Sequence, residues 1–208
     1  MLNASQLAAR RGTTELFSGV TFGVERGQIL VVSGRNGSGK TTLLRILAGI
    51  TMPSGGVVSW GGEPFEPFSR ALREALTYVG HAAALKDDFT AEENLASLCA
   101  LSGEPVSPQG IDEALSMVAL GAHRHLPARV LSQGQRRRIG LARLMASRRP
   151  LWLLDEPATA LDADGLGILA QTLVLHLDRG GIAVAATHQP LDLPASRRQT
   201  LSMDRQDA

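Results

Sequence analysis

Gly34-Arg35-Asn36-Gly37-Ser38-Gly39-Lys40-Thr41 is preceded by the apolar run Ile29-Leu30-Val31-Val32 and followed by the helix-like run Thr42-Leu43-Leu44-Arg45-Ile46-Leu47-Ala48. That order, a strand, a glycine-rich loop and a helix, is the sequence pattern of a phosphate-binding loop. Glycines let the backbone curl so that successive amide N–H groups converge on a phosphate chain. The start of the helix adds a partial positive charge at the same place. Gly34, Arg35, Asn36, Gly37, Ser38, Gly39, Lys40, Thr41 and Thr42 are therefore the expected nucleotide-binding residues. Lys40 is expected to reach the β- and γ-phosphates, and the Thr41 hydroxyl to take a position on Mg²⁺.

Working outward, the bulk properties narrow what such a loop can serve. A chain of 208 residues is long enough for one α/β domain with an inserted subdomain. Its net charge of +1 directs it neither to nucleic acid nor to anionic lipid. The single cysteine, Cys99, excludes an internal disulfide framework and fits a reducing compartment. No stretch approaches the roughly 18 to 20 consecutive apolar residues of a membrane span, and no apolar run follows a basic start at the N-terminus. No nucleic-acid partner and no direct membrane insertion are expected, so any membrane association comes through a partner.

Residues 1–33 read as short strands joined by turns: Leu2 to Ala8, Gly19 to Val24 and Ile29 to Ser33. Val57 to Trp60 and Leu76 to Val79 are further short strands. Residues 82–147 differ in kind, with helical periods at Ala91 to Leu101, at Pro108 to Leu120 behind an N-cap at Ser107, and from Gly134 to about Ser147. The apolar runs Leu151 to Leu154 and Ile182 to Ala186 follow, with a helix from Ala163 to Asp178 between them. Apolar strands alternating with helices predict a sheet covered on both faces. The expected organisation is one α/β domain over 1–208. Residues 1–81 and 148–208 form its core and β-subdomain, and 82–147 a helical subdomain.

The run Leu151-Trp152-Leu153-Leu154 ends in Asp155-Glu156. A buried strand that delivers a carboxylate at its C-terminal end matches a Walker B element, with Asp155 on Mg²⁺. Glu156 is expected on the other side of the strand axis, where it could polarise a water for in-line attack on a γ-phosphate.

Leu131-Ser132-Gln133-Gly134-Gln135 resembles the signature motif of ABC-type ATPases, whose common form is Leu-Ser-Gly-Gly-Gln. Ala160-Leu161-Asp162 after Glu156-Pro157 resembles the D-loop, and Thr187-His188 the switch histidine. The resemblance runs from about Leu2 to Leu201. It implies a P-loop NTPase fold with a mixed-sheet core, an N-terminal antiparallel β-subdomain and an inserted helical subdomain. It also implies ATP as the bound nucleotide, and catalytic roles for Glu156, His188 and Lys40. In the family, the signature residues Ser132, Gln133, Gly134 and Gln135 face the loop of a second copy of the chain in a head-to-tail dimer, with Asp162 placed across the interface.

Three positions depart from the common pattern. Gln133 replaces a glycine. Tyr78-Val79-Gly80-His81 stands where the Q-loop glutamine is expected, so His81 holds that position and brings a group that titrates near neutrality. Arg11 replaces the aromatic residue that stacks on adenine. A guanidinium plane stacks with weaker base preference. Leu-Phe-Ser-Gly-Val at 16–20, Gly80-His81, Arg136-Arg137-Arg138 after the signature and Thr187-His188-Gln189 resemble the ATP-binding subunits of bacterial cytochrome c maturation systems. That implies haem-linked export, integral membrane permease subunits as partners, and a peripheral location on the cytoplasmic face of the inner membrane. Another small ABC exporter, or a soluble ABC ATPase outside transport, remains the alternative. His123 and His125 read as a solvated loop, Cys99 and His176 as packing residues, and Arg136 to Arg138 as structural.

Overall fold

The computed structural model describes residues 1–204. Its first half holds β1 (Leu2–Arg11), β2 (Thr14–Val24), β3 (Ile29–Ser33), α1 (Lys40–Leu47), β4 (Gly55–Trp60), β5 (Glu63–Pro64), α2 (Arg70–Ala75) and β6 (Leu76–Val79). Then come α3 (Ala91–Leu101), α4 (Pro108–Met117), α5 (Gln133–Ala146), β7 (Leu151–Asp155), α6 (Ala163–Asp178), β8 (Ile182–Ala186) and β9 (Arg198–Ser202). The strands divide between two sheets. One is antiparallel in the order β2-β1-β4-β5, the other parallel in the order β6-β7-β8-β3-β9. Residues 82–147 supply α3, α4 and α5 and no named strand.

Two of the three interior strands of the parallel sheet, β7 and β8, are buried along their whole length. This is why they read as continuous apolar runs. Side chains alternate between two cores, as strand geometry requires. Trp152, Leu154, Ala183 and Ala185 pack with Leu95, Leu115, Ile139 and Leu173 from the helices. Leu151, Leu153, Ile182 and Val184 pack on the other face with Leu43 and Leu47 of α1 and Leu2 and Val58 of the antiparallel sheet. The second sheet thus clamps α1, which carries the glycine loop, against the parallel sheet.

Several boundaries differ from the sequence reading, each for a local reason. β1 runs on to Arg11 and β2 starts at Thr14, because the polar ends of this hairpin face solvent and carry no apolar signal. Gly19, at φ 68°, sits inside β2 next to a register shift with β1, the mark of a bulge. α4 stops at Met117, three residues before Leu120. There Ala119 turns left-handed at φ 57° and Leu120 N–H bonds back to the Leu115 carbonyl at 2.8 Å. Ser107 caps α4 as expected, its hydroxyl accepting from Gly110 N–H at 3.2 Å, with Pro108 in the first turn.

His176 and Cys99 are both buried, as packing residues should be. The His176 ring stacks on Trp152 with centroids 3.7 Å apart and lies 3.1 Å, through Nε2, from the Ile182 carbonyl. Burial pushes the His176 imidazole down from 6.5 to about 4. Below 6.5 the unfolded chain takes up a proton that the folded chain refuses. The stabilisation is therefore complete above 6.5 and is lost as pH falls toward 4. We expect about 2 kcal/mol of folding stability to disappear between pH 7 and pH 5 through this group. Denaturant unfolding at the two pH values checks it: His176→Phe should flatten the difference by that amount, and an unchanged pH dependence would remove His176 as its source.

Candidate active site

In a parallel sheet every strand delivers its C-terminal end to the same edge, so ligands gather in the crevice beyond it. Here that edge receives the glycine loop after β3, Gly80-His81 after β6, Asp155-Glu156 at the end of β7 and Thr187-His188 after β8. A cleft of about 390 Å³ opens there, lined by Lys40, Thr41, His81, Asp155, Glu156 and His188 among others. Asn36, Gly37, Gly39 and Thr42 line it too, as does Arg11 at the end of β1. Thr159 also faces this cleft; nothing in its sequence context pointed to it.

The loop is built to stay open. Gly37 and Gly39 stand at φ 87° and 99°, and a Cβ on Gly39 would come within 2.8 Å of the Phe17 ring. Phe17 belongs to β2, so the antiparallel sheet presses on the loop from behind. Gly39 then caps α1 with no side-chain hydrogen bond, which leaves the first amides of that helix for a ligand. The Ser38 hydroxyl is buried without a hydrogen-bond partner among the described residues. Lys40 folds back over the loop, its ammonium donating to the carbonyls of Gly34 at 2.6 Å and Arg35 at 3.2 Å. Arg35 N–H is held from outside by the Asp204 carboxylate at 2.8 Å.

Across the cleft, Asp155 is buried and accepts from the Thr41 hydroxyl at 3.2 Å. This pair of hard oxygens fits Mg²⁺, which is commonly held by one or two protein oxygens together with substrate phosphates. Among the described residues no cluster of three acidic, His or Cys side chains offers a self-sufficient metal cage. Glu156 departs from the expectation. The strand ends at Asp155, and Glu156 turns left-handed at φ 50°, so strand alternation does not govern it and both carboxylates line one cleft. Glu156 Oε2 lies 3.1 Å from His188 Nδ1. The contact is within ion-pair range but not aligned as a hydrogen bond, which leaves that oxygen without a hydrogen-bond partner among the described residues. The His188 side chain is 64% exposed, that of Glu156 only 13%. A partly buried carboxylate with a spare acceptor, close to the glycine loop, is placed to take a proton from water.

A family model described as "ABC transporter" matches residues 17–159. The cytochrome c biogenesis ATP-binding export protein CcmA of Pseudomonas aeruginosa is 48% identical over 203 residues, covering 98% of this chain and 99% of that one. A relative of the same name from Cupriavidus metallidurans is 48% identical over 98% of this chain and 97% of its own. The chain belongs to the ABC transporter family. Among solved structures, an ABC transporter ATP-binding protein from Pyrococcus furiosus superposes with a TM-score of 0.82 at 23% identity, covering 96% of each chain. An ATP-binding cassette in a dimeric post-hydrolysis state, bound to ADP and Pi, gives 0.77 at 22% identity over 91% of this chain and 88% of that one.

As an ABC ATPase the protein binds and hydrolyses ATP; Ser132 to Gln135, the stretch that resembles the signature motif, fall outside the cleft just described. Ser132 and Gln135 form a reciprocal cap at the start of α5. Ser132 Oγ accepts from Gln135 N–H at 3.1 Å, and Gln135 Oε1 from Ser132 N–H at 2.9 Å. Gln133 is helical and exposed, so its Cβ meets no difficulty. Gly134 is different: a Cβ there would lie 3.0 Å from the Ala160 carbonyl, in the segment that leads to Asp162. Asp162 caps α6 through Gly165 N–H at 2.9 Å and accepts from Arg138 at 2.6 Å. The Arg138 hydrogen bond, then the Gly165 cap, hold its carboxyl below the usual carboxylate range. His81 is exposed at the cleft's rim. His125 pairs with Glu92 at 2.9 Å and is mostly exposed, as expected of a solvated loop. His123 is not: it ends a short helical turn, is half-buried, and among the described residues its Nδ1 is buried without a hydrogen-bond partner.

Proposed function

We propose that this chain is the ATP-hydrolysing subunit of an ABC transporter complex that powers the haem-delivery or export step of c-type cytochrome biogenesis. The observation that carries it is full-length identity of 48% with proteins named for cytochrome c biogenesis export, on a chain whose cleft keeps a complete set of ATPase side chains. Nucleotide binding falls to Gly34–Thr42, with Arg11 flanking the base. Lys40 swings from its two carbonyls to the β- and γ-phosphates. Thr41 and Asp155 would hold Mg²⁺, whose charge would offset that of the phosphates. Glu156 polarises the attacking water, with His188 beside it, and His81 takes the Q-loop position at the rim.

The cleft holds only half of this site. Ser132 to Gln135 lie at the N-terminus of α5, where amides and the helix dipole suit a phosphate. Away from their own loop, they fit the loop of a second copy, with Asp162 nearby. Two ATP molecules would join two chains head to tail, and hydrolysis would release them. No helix among the described residues is long and apolar enough to cross a membrane. In this reading the work is passed to integral permease subunits at the cytoplasmic face of the inner membrane.

Deleting the chain from its host and measuring covalent haem attachment to c-type cytochromes tests this. Mature c-type cytochromes should vanish and return with the unmutated chain but not with Glu156→Gln. Normal levels in the deletion strain would sink the haem-linked reading and leave an ABC ATPase serving another exporter.

A further inference from the structure

Arg137 lies in the first half of α5, five residues beyond Ser132, and is only 6% exposed. Its guanidinium bonds to two separate stretches of main chain. Nη1 donates to the carbonyls of Gly80 and His81, each at 3.0 Å. Nη2 donates to the carbonyls of Asp155 at 3.0 Å and Glu156 at 2.5 Å, while Nε reaches that of Pro157 at 3.5 Å. Its neighbours in sequence behave differently: Arg136 pairs with Asp87 and Arg138 with Asp162. The three arginines are therefore not one basic face. Two are latched to exposed carboxylates, and the middle one is a buried fork spent on carbonyls.

Such an arrangement is costly. A guanidinium stays charged in the interior, and burying a charge is unfavourable unless its partners compensate. Desolvation pushes Arg137 down from its ordinary value, and the nearby Asp155 and Glu156 carboxylates only partly oppose it. An apolar side chain would fill the same space at less cost, so the fork's contribution lies in what it holds. It holds the two turns that leave β6 and β7. One of them places Glu156 in a left-handed conformation, which a non-glycine residue keeps only where its surroundings enforce it.

We propose that Arg137 is a positioning residue for ATP hydrolysis: by binding the Glu156 and His81 carbonyls together it aims the Glu156 carboxylate into the cleft and ties that aim to the position of the signature helix α5. The proposal rests on Glu156 acting as the base. α5 begins at the signature residues, so a shift of its first turns on engaging a partner's nucleotide moves the fork. Both turns move with it. The composite site at one end of the helix and the water-polarising group beside its first turns are then mechanically one unit.

Single-turnover hydrolysis and ATP titration on the purified full-length chain test this with Arg137→Met, Arg137→Lys, Glu156→Gln and the Arg137→Met/Glu156→Gln double variant. Arg137→Met should lower the rate at saturating ATP by about 10- to 100-fold, while the dissociation constant for ATP stays within about threefold. Arg137→Lys should recover part of the rate, since an ammonium bonds carbonyls but does not fork across two strands. In the Glu156→Gln background, Arg137→Met should cost nothing further, because both variants remove the same contribution. Losses that multiply in the double variant overturn the proposal, as does equal loss of affinity and rate in Arg137→Met. If Arg137→Met lacks a cooperative unfolding transition, Arg137→Gln, which keeps two donors, takes its place under the same criteria. A near-unmutated rate in Glu156→Gln alone is a different result: it removes the base on which the proposal rests.

Discussion

Glu156→Gln is expected to slow ATP hydrolysis by about 10²- to 10⁴-fold, the range over which a positioned general base contributes, and to leave ATP affinity unchanged. Glutamine keeps the shape of the side chain in its nearly buried seat and loses only the basic oxygen. That oxygen, Oε2, makes no hydrogen bond among the described residues and lies only near the largely exposed His188 Nδ1, so its removal orphans no buried group and folding should not suffer. Among the described residues, the hydrogen bonds of Lys40 and Thr41 go elsewhere, so the glycine loop is untouched. With binding intact and turnover blocked, the ATP-bound dimer should accumulate. Gel filtration with ATP should show a persistent dimer for this variant and a transient one for the unmutated chain. Turnover near the unmutated rate would exclude Glu156 as the base.

The second large effect comes from mixing two inactive chains. Lys40→Ala removes the ammonium proposed to reach the phosphates. Gly134→Asp puts a carboxylate where a phosphate would be capped, and a Cβ within 3.0 Å of the Ala160 carbonyl. An acid near a helix N-terminus favours the helix itself, so the aspartate should act on the ligand more than on the fold. Each variant alone should lose ATPase activity by about 100-fold or more. In a mixed dimer one site carries both lesions and the other carries neither, provided Lys40 and Gly134 of one site come from different chains. Mixing equal amounts should then restore activity to about a quarter of the unmutated rate, through random pairing. If the two residues serve a site within one chain, mixing restores nothing.

The sequence was most legible where burial is uniform or the backbone has a special need. β3, β7 and β8 announced themselves as apolar runs because both faces are covered. The glycine loop was readable because only glycine tolerates φ near 90° with Phe17 so close. Ser107-Pro108 marked a helix start through the cap itself. What escaped lacked a local cause. β9 is polar on alternate, exposed positions, and α2 is a short helix of mostly exposed residues. The left-handed turn at Glu156 is imposed by tertiary contacts, so a strand-period argument gave the wrong orientation. Arg137 was grouped with Arg136 and Arg138 as structural because charge alone does not reveal which of the three is fully buried. Its position did carry a signal: it lies four residues before Leu141 and seven before Leu144, on the buried stripe of α5.

The place of β3 in its sheet also governs how the protein comes into being. Its two neighbours are β8 and β9, with Ile29 opposite Ala183 and Arg198. Both lie far downstream, so a ribosome working at about 5–20 residues per second exposes this apolar strand for about 8 to 30 s before a pairing edge exists. The nucleotide loop is among the first parts synthesised and among the last to be framed. During that interval the nascent chain presents an unpaired, sticky segment that invites chaperone capture or aggregation. A chain released before Ile182 would carry every glycine of the loop and no strand on either side to hold it open.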